Sequence, residues 1–123
     1  MKILVIEHPA VAGFVAHGLR DHGHTVDVAH DGETGLRLGR TGGYDLILLA
    51  VVLPKGNGLE VGAALRRGGS VPILLLTPDD HEAEHFIRHV GANGYLVKPF
   101  RFGALLEHVN ALDRTQPRPP HTG

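Results

Sequence analysis

Histidines at positions 81, 85 and 89, the pairs Glu7-His8 and Asp79-Asp80, and the lysine at 98 are the groups whose types and spacing invite a chemical reading. Three histidines four residues apart place neighbouring imidazoles on one face of any helix that carries them. Such a pair can hold a transition metal or change charge near neutral pH, because the unperturbed imidazole pKa is about 6.5. A solvated stripe has the same spacing, and no metal site is assigned on these residues. The chain has ten histidines, and its seventeen glycines and arginine bias fit a GC-rich coding composition as well as a function. Asp79 and Asp80 stand where acids cap a helix and complement its dipole. Glu7-His8-Pro9-Ala10 contains no glycine-rich loop to cradle a phosphate, and no Ser-His-Asp spacing stands out.

The elements that would position these groups alternate in type. Short apolar runs at Ile3–Ile6, Thr25–Ala29, Leu46–Val51, Val71–Leu76 and Tyr95–Val97 are separated by longer amphipathic stretches. That alternation predicts βαβ units and a parallel sheet. The third and fourth runs are continuously apolar, as central strands buried on both faces require. Pro9 opens the first helical stretch, with Val11, Phe14, Val15 and Leu19 on one face and Gly23 as its stop. The others run from about Gly32 to Arg40, from Leu59 to Arg67, through Ala83, Phe86, Ile87 and Val90 to Gly91, and through Phe102, Leu105, Leu106, Val109 and Leu112. Residues 1–114 therefore read as one domain, and the proline-dense residues 115–123 as a linker or tail.

Composition excludes several classes. A net charge of -1 gives no electrostatic footprint for nucleic acid, so none is expected to bind this chain alone. Cysteine is absent, which removes disulfides and thiolate metal sites. No apolar run is long enough to span a membrane, and Met1–Ile6 is too short for a signal peptide, so cytoplasm is the expected compartment.

Ile3-Leu4-Val5-Ile6-Glu7, Asp31-Gly32, Tyr44-Asp45-Leu46, Leu53-Pro54 with Gly58, Leu76-Thr77, Gly91-Ala92 and Tyr95-Leu96-Val97-Lys98-Pro99-Phe100 carry a resemblance. The chain resembles the receiver domain of bacterial two-component response regulators, especially those with a winged-helix output, from Lys2 to about Arg114. The resemblance implies a flavodoxin-like (βα)5 three-layer sandwich with parallel strand order 2-1-3-4-5 and its site at the carboxyl ends of the strands. In that family an acidic pair after the first strand and an aspartate ending the third hold Mg²⁺. The aspartate accepts the phosphoryl group, a hydroxyl after the fourth strand hydrogen-bonds it, and a lysine from the fifth neutralises it.

Carried over by position, Thr77 and Lys98 match, and Glu7 matches the first acid. His8 stands where the second acid belongs and Ala50 where the phosphoacceptor belongs, and Pro78 replaces a small residue. A methyl group neither attacks phosphorus nor binds a metal, so the site is expected to be degenerate, without Mg²⁺. Lys98 is then expected to contact Glu7 directly or through water, because a buried unpaired ammonium is costly. His8 is expected to fill the vacated metal pocket or, with Glu7, to form a site for a small ligand or proton. Thr77 reads as a rotamer switch or a passive hydroxyl, and Tyr95 as a switch aromatic or as edge-strand packing. On the face of the fourth helix, fifth strand and fifth helix, Asn93, Gly94, His108 and Asn110 replace the charged residues through which relatives dimerise, leaving at best a weak or differently arranged homodimer.

These residues support an atypical, non-enzymatic receiver that signals without phosphorylation, through a protein partner or its own output domain, to control transcription. A small-ligand sensor on the same fold is the alternative. A flavodoxin-like or small hydrolase enzyme is a third and has no motif in its favour.

Overall fold

The strands that build the domain are the apolar runs, and each carries alternate residues to opposite faces. The computed structural model describes residues 1–115, with side chains through Asp113. In chain order the elements are β1 (Lys2–Ile6), α1 (Pro9–Asp21), β2 (Thr25–Ala29), α2 (Gly32–Thr41), β3 (Leu46–Ala50), α3 (Gly58–Arg67), β4 (Ile73–Thr77), α4 (Ala83–Val90), β5 (Gly94–Val97) and α5 (Phe102–Thr115). All five strands are parallel, in the order β2-β1-β3-β4-β5. The tail from residue 116 lies outside the described residues.

Period-two alternation divides the core. Ile3, Val5, Leu46, Leu48, Leu74 and Leu76 pack with Val15 and Leu19 of α1 and Leu105 and Val109 of α5. Leu4, Ile6, Ile47, Leu49, Ile73 and Leu75 face Val61 and Leu65 of α3 and Val90 of α4 on the other side. Every residue of β3 and β4 is buried, as their unbroken apolar sequences require.

Glycines secure two connections. Gly91 ends α4 in the left-handed conformation at φ 77°, donating its N–H to Ile87 O. Gly58 opens α3 so close to the end of β3 that an added Cβ would lie 1.8 Å from Ala50 O. Its N–H donates to Val51 O at 3.0 Å, and the Asn57 side chain caps the helix through Leu59 N at 2.8 Å.

Two helical expectations need correction. Phe14 is 54% exposed, not on the buried face of α1; its ring meets Phe102 edge-on at 6.1 Å. Helix α4 begins at Ala83, so Asp79 and Asp80 do not cap it. The Asp79 carboxylate instead accepts from His81 N at 2.9 Å in the turn before the helix. Glu82 is the N-cap and makes no side-chain capping bond. His81 therefore lies outside α4, and the expected run of three helical histidines is reduced to His85 and His89.

Candidate functional site at the carboxyl edge of the sheet

Parallel pairing brings chemically distinct residues to one edge. Ile6 pairs with Leu49, Ala50 with Leu76, and Thr77 with Val97, so Glu7, Ala50, Thr77 and Lys98 emerge together at the strands' carboxyl ends. The Val51 N–H donates to Leu76 O, and the Lys98 N–H to Thr77 O, which fixes these residues in register.

Glu7 has no exposed surface. Its Oε2 accepts from Lys98 Nζ at 2.9 Å and its Oε1 from His8 N at 2.7 Å. The contact expected between Lys98 and Glu7 is therefore direct. A buried carboxylate needs such a partner, since burying it alone would cost several kcal/mol, of order 3–5 when one partner of a buried pair is lost. The Lys98–Pro99 peptide that follows is cis.

Ala50 is fully buried within the apolar cluster on the α3 side of the sheet. It brings no hydrogen-bonding atom from its side chain. Thr77 is 1% exposed, and its hydroxyl donates to Asp79 O at 2.9 Å and accepts from Asp79 N at 3.3 Å. The hydroxyl thus closes the turn that carries Pro78.

His8 does not fill a pocket. It is exposed and acts as N-cap of α1, its Nδ1 accepting from Ala10 N at 3.3 Å. Capping draws the imidazole toward the helix, which is why a side chain long enough to enter the cavity stays at its rim. Above the Glu7–Lys98 pair lies an open groove of about 430 Å³, bordered by His8, Val11, Val52, Leu53, Pro54 and Pro78. Glu7 is its one carboxylate, and both of its oxygens are already engaged.

The remaining candidates lie elsewhere. Tyr95 is half-buried on β5, an edge strand, and packs on the cluster containing Leu49 and Ile73. Asn93 is taken up within the fold: its Oδ1 accepts from Ile73 N at 2.9 Å and from Arg66 Nη2 at 3.3 Å. Arg66 also donates to Gly91 O and Val71 O, a clamp between α3 and the end of α4 that sequence reasoning missed. Gly94 opens β5. His108 and Asn110 are exposed on α5, and His108 Nδ1 lies 3.0 Å from Ala104 O of the preceding turn. Among the described residues, no group of three or more His, Cys, Asp or Glu side chains is placed to hold a metal ion.

A five-stranded parallel sheet of order 2-1-3-4-5, covered by helices on both faces and carrying its polar residues at the strands' carboxyl ends, defines a flavodoxin-like, receiver-type α/β domain. The chain belongs to the family of response regulator receiver domains, whose pattern it matches over residues 3–110. It is 42% identical to the transcriptional regulatory protein CusR of Escherichia coli (strain K12) over 118 residues, covering 93% of this chain and 52% of that protein. It is 36% identical over 120 residues to the response regulator ArlR of Staphylococcus saprophyticus, covering 95% of this chain and 54% of that protein. The chain thus spans about half the length of the curated relatives it matches. The receiver domain of the Francisella response regulator 1452 superposes with a TM-score of 0.86 at 28% identity, covering 94% of this chain and 98% of that one. The chemotaxis protein CheY4 of Vibrio cholerae gives 0.84 at 32%, covering 90% and 97%. Among the described residues no helix is long and apolar enough to cross a membrane.

Proposed function

We propose that this chain is a receiver domain that signals without aspartyl phosphate, its state read by protein contacts with an output domain. The observation that carries the reading is the side chain ending β3. Ala50, fully buried, offers a methyl group where phosphoryl transfer needs a carboxylate nucleophile. Two further features support it. The donor set does not fit Mg²⁺, which asks for several hard oxygen ligands in an octahedron, whereas the groove offers Glu7 alone. Lys98, which would neutralise a phosphoryl group, is instead committed to Glu7.

Transcription is the proposed output. Both sequence relatives named above are regulators, CusR a transcriptional one by name, and each is about twice the length of the matched region. A DNA-binding unit joined to this domain would supply the nucleic-acid contacts that a net charge of -1 does not favour.

The test is phosphotransfer. Incubation with acetyl phosphate and Mg²⁺ followed by intact-mass spectrometry should leave the mass unchanged. Titration with Mg²⁺ and beryllofluoride should leave the amide spectrum of residues around the groove unshifted. Stoichiometric gain of an acid-stable, base-labile phosphoryl group would refute the reading. A shift produced by a small metabolite in place of these reagents would favour the sensor alternative.

A further inference from the structure

We propose that His85 and His89 form a two-imidazole clamp for a divalent transition-metal ion, of the zinc or nickel type, on the exposed side of α4. The two residues lie one helical turn apart, the spacing at which side chains share a face and at which helical histidine pairs ligate zinc. Both are exposed. Their rings are nearly parallel, 22° apart, with centroids separated by 6.3 Å. A zinc ion sits about 2.0–2.1 Å from each ligating nitrogen, so two rings on one ion have centroids at most roughly 6.4 Å apart, and about 5 Å apart in a tetrahedral arrangement. Closing that gap of about 1 Å takes only χ rotations of two exposed side chains.

The ligand set also selects the ion. Imidazole suits zinc, nickel and copper, whereas Mg²⁺ and Ca²⁺ require oxygen donors. No third His, Cys, Asp or Glu completes the set among the described residues. The other coordination positions therefore fall to water, and binding is modest and reversible. Glu82, the N-cap residue, precedes His85 by three positions and contributes favourable charge, while Arg88 beside His89 opposes it.

Binding would act on a short helix whose start no side chain secures. Helix α4 has eight residues, and no side chain caps its N-terminus. An isolated helix of that length is marginal, and a ligand that binds only the folded turn stabilises it by mass action. A clamp spanning residues 85–89 would therefore reduce local opening of α4.

The experiment is calorimetric titration of the chain with Zn²⁺ above the ordinary imidazole pKa of about 6.5, with hydrogen exchange of α4 amides as a second readout. Wild type should bind one ion with micromolar-range affinity, and the α4 amides alone should gain protection. His85→Gln and His89→Gln should each weaken binding by about tenfold or more, since each removes half of the protein ligands. His17→Gln, at a His–Asp pair one turn apart on α1 (His17 Nε2 to Asp21 Oδ2, 3.4 Å), should leave affinity unchanged. The proposal is overturned if wild type shows no binding, if the His85→Gln/His89→Gln double variant binds as wild type does, or if protection appears away from α4.

Discussion

The Lys98 ammonium donates across 2.9 Å to Glu7, joining residues 91 positions apart, and the two ends of this bond differ sharply in exposure. The Glu7 side chain is fully buried, while 22% of the Lys98 side chain remains exposed. The carboxylate therefore depends on the pair more than the ammonium does. Lys98→Met should lower stability by about 2–3 kcal/mol, less than for a fully buried pair because the ammonium keeps some solvent. Adding Glu7→Gln should recover much of that loss, since it removes the charge left without its partner. Urea denaturation of the four members of this cycle provides the check, and additive effects would show that the two residues do not interact energetically.

Gly58 and Ala50 carry a second expectation. With Ala50 O lying 1.8 Å from the site of an added Cβ, Gly58→Ala must push the start of α3 away from β3. The cost should be about 1–3 kcal/mol, as for other overpacking substitutions. Gly69→Ala, at a glycine with open space around its Cβ position, is the control and should change the urea midpoint little. Equal effects of the two substitutions would contradict the packing argument.

At the opposite end of the sheet, the Tyr44 hydroxyl donates to Asp27 Oδ2 at 2.7 Å while Lys2 sits over its ring. Burial first, then the hydrogen bond and the negative charge of Asp27, raise the Tyr44 pKa from 10.0 to about 12. The folded state therefore holds a proton that the unfolded state releases above about pH 10. This contribution to stability is complete below that value and is lost as pH rises toward 12. Tyr44→Phe should remove the late tyrosinate signal at high pH in an ultraviolet titration and flatten the decline of melting temperature over that window. A titration unchanged by the substitution would assign the shift elsewhere.

The positions of nearly all elements were legible in the alternation of apolar runs and amphipathic stretches, with β3 and β4 continuously apolar because both their faces are buried, whereas the sheet order was legible only through the resemblance to receiver domains. The Glu7–Lys98 bond was legible from charge: with alanine at position 50, the nearest plausible carboxylate for the Lys98 ammonium is Glu7. The expectation that His8 fills the pocket failed because the cavity was considered without the helix beside it; an imidazole before Pro9 can satisfy an orphan amide of α1 and so stays at the rim. Asn93 was placed on a dimer face by position, whereas its amide oxygen serves Ile73 and Arg66. Bonds of that kind, between a loop side chain and backbone twenty or more residues away, leave no periodic trace. The exposure of Phe14 was hidden for the opposite reason: its spacing fits the buried stripe, but the T-shaped contact with Phe102 holds it at the margin.

The surface formed by α4, β5 and α5 leads to an expectation about association. Asn93 is engaged within the fold, and His108 and Asn110 present no arginine to a second copy. Without charges at the positions through which relatives pair, register is poorly fixed and wrong pairings are not suppressed, so a dimer through this face should be weak. Sedimentation at micromolar concentration should show mostly monomer, unaltered by acetyl phosphate. A tight symmetric dimer that responds to that donor would count against both this expectation and the proposed function.

Rebuilding the carboxyl edge tests the central reading most directly. Ala50→Asp alone introduces a nucleophile, but with Glu7 it offers Mg²⁺ only two acids, and His8 when protonated would repel the ion. His8→Asp together with Ala50→Asp places three acids at the carboxyl edge of the sheet, where Thr77 and Lys98 also emerge. An aspartate at position 8 is also a preferred N-cap, so the start of α1 need not be disturbed. Lys98 would then be drawn between Glu7 and the new carboxylate, which loosens the 2.9 Å bond seen in this chain. The double variant should bind Mg²⁺ and accept phosphate from acetyl phosphate, the single variant should do so poorly, and wild type not at all. Intact-mass spectrometry and Mg²⁺ titration of the three proteins distinguish these outcomes. If the double variant binds Mg²⁺ but gains no phosphoryl group, Pro78→Ala in the same background should open access, because Pro78 borders the groove beside the Thr77 turn. Phosphorylation of wild type to the level of the double variant would show that the edge does not need the carboxylate it lacks at position 50.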